Sequence, residues 1–190
     1  MKHILLLNGN PKEKSFSKQL SDRYEIAATE YAQVRRFDLS TMEFNPNLVA
    51  GYDQKQFLEP ALVQFQQALL WAEHIVIVSP IWWGGLPAKL KGLFDRTFLP
   101  GFAFSYEQAN PLPTPHLCGK SARIILTMDA PSDFMQMQAK PVLEQLDVFT
   151  LQFCGIEKAA VSLFGGVIVA DEAQRNTWLQ DVRNFASHGG

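Results

Sequence analysis

The chain predicts a three-layer α/β sandwich on a five-stranded parallel sheet of order 2-1-3-4-5. Three observations predict it. Five short apolar runs alternate with helical patterns along the chain. One run, Ile75, Val76, Ile77 and Val78, is unbroken, as a parallel strand buried on both faces requires. No sixth run follows, and right-handed crossovers with five strands favour this order over a six-stranded dinucleotide sheet.

The expected strands are Ile4 to Asn8, Val34 to Leu39, His74 to Ser79, Ala122 to Met128 and Ala159 to Phe164. The second carries Arg35 and Arg36 and so belongs at the sheet margin. The expected helices are Ser17 to Tyr31, Pro60 to Ala72, Pro87 to Phe98, Asp133 to Phe149 and Asp171 to Ala186. In the third, Leu86, Leu90, Leu93, Phe94 and Phe98 recur at helical spacing, with Lys89, Lys91, Asp95 and Arg96 on the remaining positions. Pro87 falls in the first turn, where a missing N–H loses nothing. Two stretches resist regular assignment, Ser40 to Glu59 and Pro100 to Gly119, the second with Pro100, Pro111, Pro113 and Pro115. Phe102, Phe104 and Tyr106 alternate there, which reads as a small hairpin forming a site wall or a subunit contact.

At 190 residues with a formal charge of -2, the chain suits one domain, residues 1–190, with its own core. Nothing in its charge points to nucleic acid or to a polybasic membrane patch. The apolar run at Ile4 is too short for a signal segment or a membrane span, so the expected location is the cytoplasm. Cys118 and Cys154 lack paired spacing and read as reduced, structural residues. His3, His74, His116 and His188 form no ligand pair, and no metal site is expected.

Chemistry concentrates at the carboxyl ends of the first, third and fourth strands, where open α/β sheets bind ligands. The segment after the third strand, Pro80, Ile81, Trp82, Trp83, Gly84 and Gly85, joins two indoles to a glycine pair and suits a flat, wide ligand. After the first strand, Asn8 to Leu20 runs as a polar loop into a helix start, with Ser15 and Ser17 there and Lys12 and Lys14 nearby. Unpaired N–H groups, the helix dipole and hydroxyls fit a phosphate, although a serine there also serves as an ordinary cap. Neither GxGxxG nor GxxxxGK[ST] occurs. Phosphate at one loop and a ring system at its neighbour describe a flavin mononucleotide moiety.

Those residues resemble the flavodoxin-like NAD(P)H:quinone oxidoreductases of the DT-diaphorase and modulator of drug activity B type. Pro80 to Tyr106 is similar to their third-strand loop, following helix and alternating aromatic segment. Asn10 to Ser17, with Ser15, Phe16 and Ser17, is similar to their phosphate loop, with Asn10 where many members have His. Thr127 to Pro131 stands where they carry Thr-Thr-Gly-Gly, and Met128, Asp129 and Ala130 depart from it. The resemblance implies a flavin, FMN with FAD as the other possibility, bound by Asn10, Ser15 to Ser17, Pro80 to Gly84 and Thr127 to Ala130. It implies NAD(P)H as donor, a quinone or similar acceptor, two-electron ping-pong turnover and a homodimer, with Tyr52, Phe57 and Phe102 to Tyr106 as contributors to the subunit contact. The family's Tyr and His near the fourth-strand loop are missing from Ser132 to Gln138, so no catalytic side chain is nominated. The other reading is a regulatory flavoprotein of this fold, such as a potassium-efflux accessory subunit.

Overall fold

The computed structural model describes residues 1–107 and 112–187; Pro111 and His188, named above, lie outside them. Five parallel strands form the central sheet: β1 (Lys2–Asn8), β2 (Ala32–Asp38), β3 (His74–Pro80), β6 (Ser121–Thr127) and β7 (Ala160–Phe164). Their order is β2-β1-β3-β6-β7, which is the expected 2-1-3-4-5 once two short hairpin strands are set aside. Those two, β4 (Phe104–Ser105) and β5 (Thr114–Pro115), pair antiparallel and form the expected hairpin. β2 lies at the margin, where Arg36 meets Asp22, Glu25 and Asp38 at 2.7–2.8 Å.

All seven residues of β3 are buried, because helices cover both faces of the sheet. On one face Leu5, Leu7, Ile75, Ile77, Ile124 and Leu126 join the core of α2 (Pro60–Trp71), α3 (Ala88–Thr97) and α4 (Met135–Leu143). On the other, Ile4, Leu6, Val76, Val78 and Ile125 meet α1 (Phe16–Ala28) and α5 (Glu172–Ser187). No helix among the described residues is long and apolar enough to cross a membrane.

Three expectations need correction. The helix expected from Asp133 to Phe149 is not one α-helix: a 3-10 turn (Ser132–Phe134) precedes α4, and a π-helical stretch (Glu144–Leu151) follows it. Pro141 sits inside α4 and removes one rung of the helical ladder, and the Glu144 N–H is then shared between the Lys140 and Pro141 carbonyls. Arg96, assigned to the outer face of its helix, is fully buried, because residues 45–59 fold over α3 and supply its acceptors. Cys118 is exposed, whereas Cys154 is buried and burial pushes its thiol up to about 12.

The loop lies against α3 through Gly92, where an added Cβ would come within 2.4 Å of Pro46 Cβ and 2.6 Å of its carbonyl oxygen. Alanine normally gains about 1 kcal/mol over glycine in a helix, but the overlap with backbone outweighs that gain. Gly92→Ala is therefore expected to lower stability by about 1–3 kcal/mol, read as a reduced urea midpoint with an unchanged slope.

Candidate functional site

The first loop leaves β1 at Asn8, whose side chain donates to Asp38 Oδ1 at 2.8 Å and accepts the Asn10 N–H at 3.2 Å. Asn10 is buried; its amide donates to Ser17 Oγ at 3.3 Å, and its carbonyl accepts the Lys12 N–H at 3.0 Å. Ser17 Oγ in turn lies 3.4 Å from Thr127 Oγ1 at the end of β6. A row of polar side chains thus crosses the carboxyl edge of the sheet, over β3, and joins two strands not adjacent in the sheet. Ser15 caps α1, accepting the Lys18 N–H at 3.2 Å, so the Phe16 and Ser17 N–H groups of the first turn remain for an anion.

The second loop is set by the Ile81 N–H, which donates to the Thr127 carbonyl at 2.8 Å. Trp82 and Gly85 then bond each other's backbone at 3.0 and 2.9 Å around a two-residue turn. Trp83 and Gly84 have φ of 54° and 68°, the pattern of a type I′ turn. A left-handed tryptophan costs about 1–2 kcal/mol, and Trp83 is fully exposed, so no packing within the chain offsets that strain. Strain of this kind clusters at ligand-binding sites.

The third loop is gripped by residues 165–170, a segment not singled out in the sequence. Met128 N–H donates to the Phe164 carbonyl, Gly166 N–H to that of Ala130 and Val167 N–H to that of Met128, at 2.9–3.2 Å. Asp129 Oδ1 accepts the Ile168 N–H at 2.9 Å, so its carboxylate serves as a turn acceptor.

These loops enclose a cleft of about 220 Å³ lined by Asn10, Lys12, Ser15, Phe16, Ser17, Pro80, Ile81, Trp82, Thr127, Met128, Asp129 and Val167. Most of the residues expected to hold the cofactor thus come together. Trp83 and Gly84 stand at the tip of the turn outside the lining, and Ala130 packs against the core. Val167 was missed, and so were Ile168 and Arg175, which line an adjoining cleft. Gly165-Gly166 directly after the last strand was the one signal for them.

The donor set fits a flavin's phosphate end: a helix start, two buried hydroxyls and a buried amide, while the Asp129 carboxylate in the lining is engaged by the Ile168 N–H. Open space above Gly84, where an added Cβ would meet nothing within 4 Å, leaves room for a ring beside the indoles.

The tyrosines and phenylalanines beyond the site form separate surfaces. Tyr52, Phe94, Phe98, Phe104, Tyr106, Phe149 and Phe153 line a cavity of about 320 Å³ over Cys154. Burial raises the Tyr52 phenol above its ordinary value, and Asp95, Tyr106 and Cys154 add to this. A second cavity, about 510 Å³, includes Tyr52, Phe57 and Phe102.

Comparison with known proteins agrees with this arrangement. An NAD(P)H oxidoreductase of Haemophilus influenzae is 27% identical over 188 residues, spanning 95% of this chain and 91% of the relative. The rat ribosyldihydronicotinamide dehydrogenase [quinone] is 26% identical over 217 residues, spanning 97% and 92%. Among solved structures, Smu.1420 from Streptococcus mutans superposes with a TM-score of 0.82 at 28% identity, covering 99% of this chain and 100% of that one. The family described by a flavodoxin-like fold matches residues 2–185, and the chain belongs to it.

Proposed function

We propose that the protein is a flavin-dependent NAD(P)H:quinone oxidoreductase. The observation that carries this reading is the Asn10–Ser17–Thr127 row at the start of α1, beside the Trp82–Gly85 turn. It offers anion recognition and a ring platform side by side at the point where the strand order reverses. The names of the relatives supply the donor and acceptor classes, nicotinamide and quinone.

When bound, the flavin supplies the two-electron relay from nicotinamide to quinone in two half-reactions, each reactant leaving before the next enters. The chain contributes placement. The Phe16 and Ser17 N–H groups with the Ser17 and Thr127 hydroxyls would hold the phosphate. Pro80, Ile81 and Trp82 would hold the ring system, together with the backbone of residues 127–129. No side chain is assigned a proton-transfer role, and hydride transfer itself requires none. A second copy of the chain covers the exposed aromatic surface of Tyr52, Phe57, Tyr106 and Phe149, giving a homodimer.

The purified protein is expected to be yellow, to bleach anaerobically with NADPH and to regain colour on addition of a quinone. Colourless protein that takes up no added flavin overturns the reading. Bound flavin that neither donor nor acceptor changes would instead favour the regulatory flavoprotein. Ser17→Ala with Thr127→Val removes both hydroxyls from the floor and is expected to weaken flavin binding by more than about a hundredfold, since each hydrogen bond to a charged group contributes about 1.5–3 kcal/mol. Flavin fluorescence quenching measures this, and circular dichroism should show an unchanged fold.

A further inference from the structure

The two margins of the sheet are finished differently. β2 carries Arg35 and Arg36, and Arg36 is tied to Asp22, Glu25 and Asp38. Charge of this kind keeps an edge strand from pairing with another chain. β7 closes the opposite margin, and among the described residues it pairs with β6 alone. Its five residues, Ala160, Val161, Ser162, Leu163 and Phe164, include no charge, no proline and no glycine, and Ala160 and Val161 are exposed. Its register with β6 is unbroken, so no bulge bends the strand away. An undressed apolar edge is a template for a further strand.

Beside β7 runs a groove of about 390 Å³, shared with the π-helical stretch and the end of α4. Leu143, Val148 and Val161 give it an apolar lining, and Lys140, Glu144 and Lys158 supply its charge. The buried Asp147 carboxylate accepts the Ala159 N–H at 3.1 Å, which fixes the π-helical stretch to the start of the strand. Lys140 and Glu144 stand 4.0 Å apart with side chains 75% and 54% exposed, a pairing that contributes little within one chain.

We propose that β7 is a self-association surface, through which two copies of the chain pair antiparallel about a two-fold axis and merge their sheets. The occupant is a second copy because the edge is complementary to itself. With the axis at Ser162, Ala160 meets the partner's Phe164 and Val161 meets the partner's Leu163, so a smaller side chain faces a larger one on each side of the sheet. Both signs of charge line the groove, as a contact between identical surfaces requires, and each copy's lysines can then meet the other's Glu144. β7 takes no part in the two aromatic-lined cavities that hold Tyr52, Phe57 and Tyr106. Both contacts together make a dimer of dimers, and the flavin plays no part in this one.

The test is sedimentation velocity and native mass spectrometry of the full chain over a concentration series, for the natural sequence and for Val161→Lys. An unpaired ammonium in the seam is expected to weaken association at least about tenfold, while circular dichroism shows an unchanged fold. A tetramer reduced to dimers supports the contact; so does a dimer reduced to monomers, which would also move the homodimer from the aromatic surface to β7. Association that Val161→Lys leaves unchanged, or none up to about 100 μM, overturns the inference and leaves the flavin reading standing. A second variant fixes the pairing. Residues directly opposed across antiparallel strands have Cα atoms about 4.5–5.5 Å apart, within reach of a disulfide. Ser162→Cys combined with Cys118→Ser, which removes the exposed native thiol, is therefore expected to give a covalent dimer with oxidised glutathione. Absence of that link in the associated protein overturns the antiparallel pairing at Ser162.

Discussion

Replacing Arg96 by methionine is expected to lower the unfolding free energy by about 3–5 kcal/mol, the usual loss when one member of a buried ion pair is removed. The guanidinium is fully buried beneath residues 45–59. Its Nη2 donates to Glu59 Oε2 and the Phe57 carbonyl, both at 2.8 Å, and its Nη1 to the Asn45 carbonyl and Glu59 Oε1. Removing it strands two carbonyls and a carboxylate whose side chain is 31% exposed. Burial pushes the Glu59 carboxyl up, but the Asn45 N–H and Arg96 together outweigh that and hold it below its ordinary value. Arg96→Lys should recover little, since one ammonium cannot replace the planar fork that meets several acceptors at once. The segment held this way carries Tyr52 and Phe57, so the variant should also weaken self-association. Urea unfolding and sedimentation measure the two effects, and an Arg96→Met loss below about 1 kcal/mol would show that the pair behaves as a surface contact.

Arg96 also marks where the sequence stops being legible. The strand order was readable because burial on two faces leaves a local trace: β3 is apolar throughout, and Arg35 and Arg36 place β2 at the margin. The two binding loops were readable because each is a short stretch set between a strand and a helix, with its residue types in view. Arg96 sits at a polar position of an amphipathic helix, and only a loop some 40 to 50 residues away in sequence makes that position internal. The same applies to Val167, Ile168 and Arg175, which reach the phosphate end across the sheet edge from the last connection. The π-helical stretch left no such trace: its buried positions, Leu146, Asp147 and Leu151, include a pair four apart that an α-helix would also bury. Long-range closure of loops is what pattern reading lacks, and it supplies the side of the candidate site, Val167, that the sequence did not show.

At the opposite end of the sheet, His74 is expected to make the fold sensitive to acid. Its ring is 2% exposed, and Nδ1 lies 2.8 Å from Ser121 Oγ. Burial lowers its pKa to about 4 from 6.5, and the nearby charges of Lys2 and Arg123 reinforce the shift. An unfolded chain takes up this proton as pH falls through about 6.5, whereas the folded one resists until pH 4. Between those values the unfolded state binds more protons, so stability falls as pH falls, and it levels off below pH 4 where both states are charged. The full loss is about 3 kcal/mol at about 1.4 kcal/mol per pKa unit. Asp22 and Glu59, both held below their ordinary values, lose their contributions only under more acidic conditions. Urea unfolding of the natural chain and of His74→Asn at several pH values between 7 and 4 isolates the effect, because the carboxylates are common to both. The gap between the two chains should narrow by about 3 kcal/mol across that range; a gap independent of pH would mean that the imidazole titrates alike in the folded and unfolded chains.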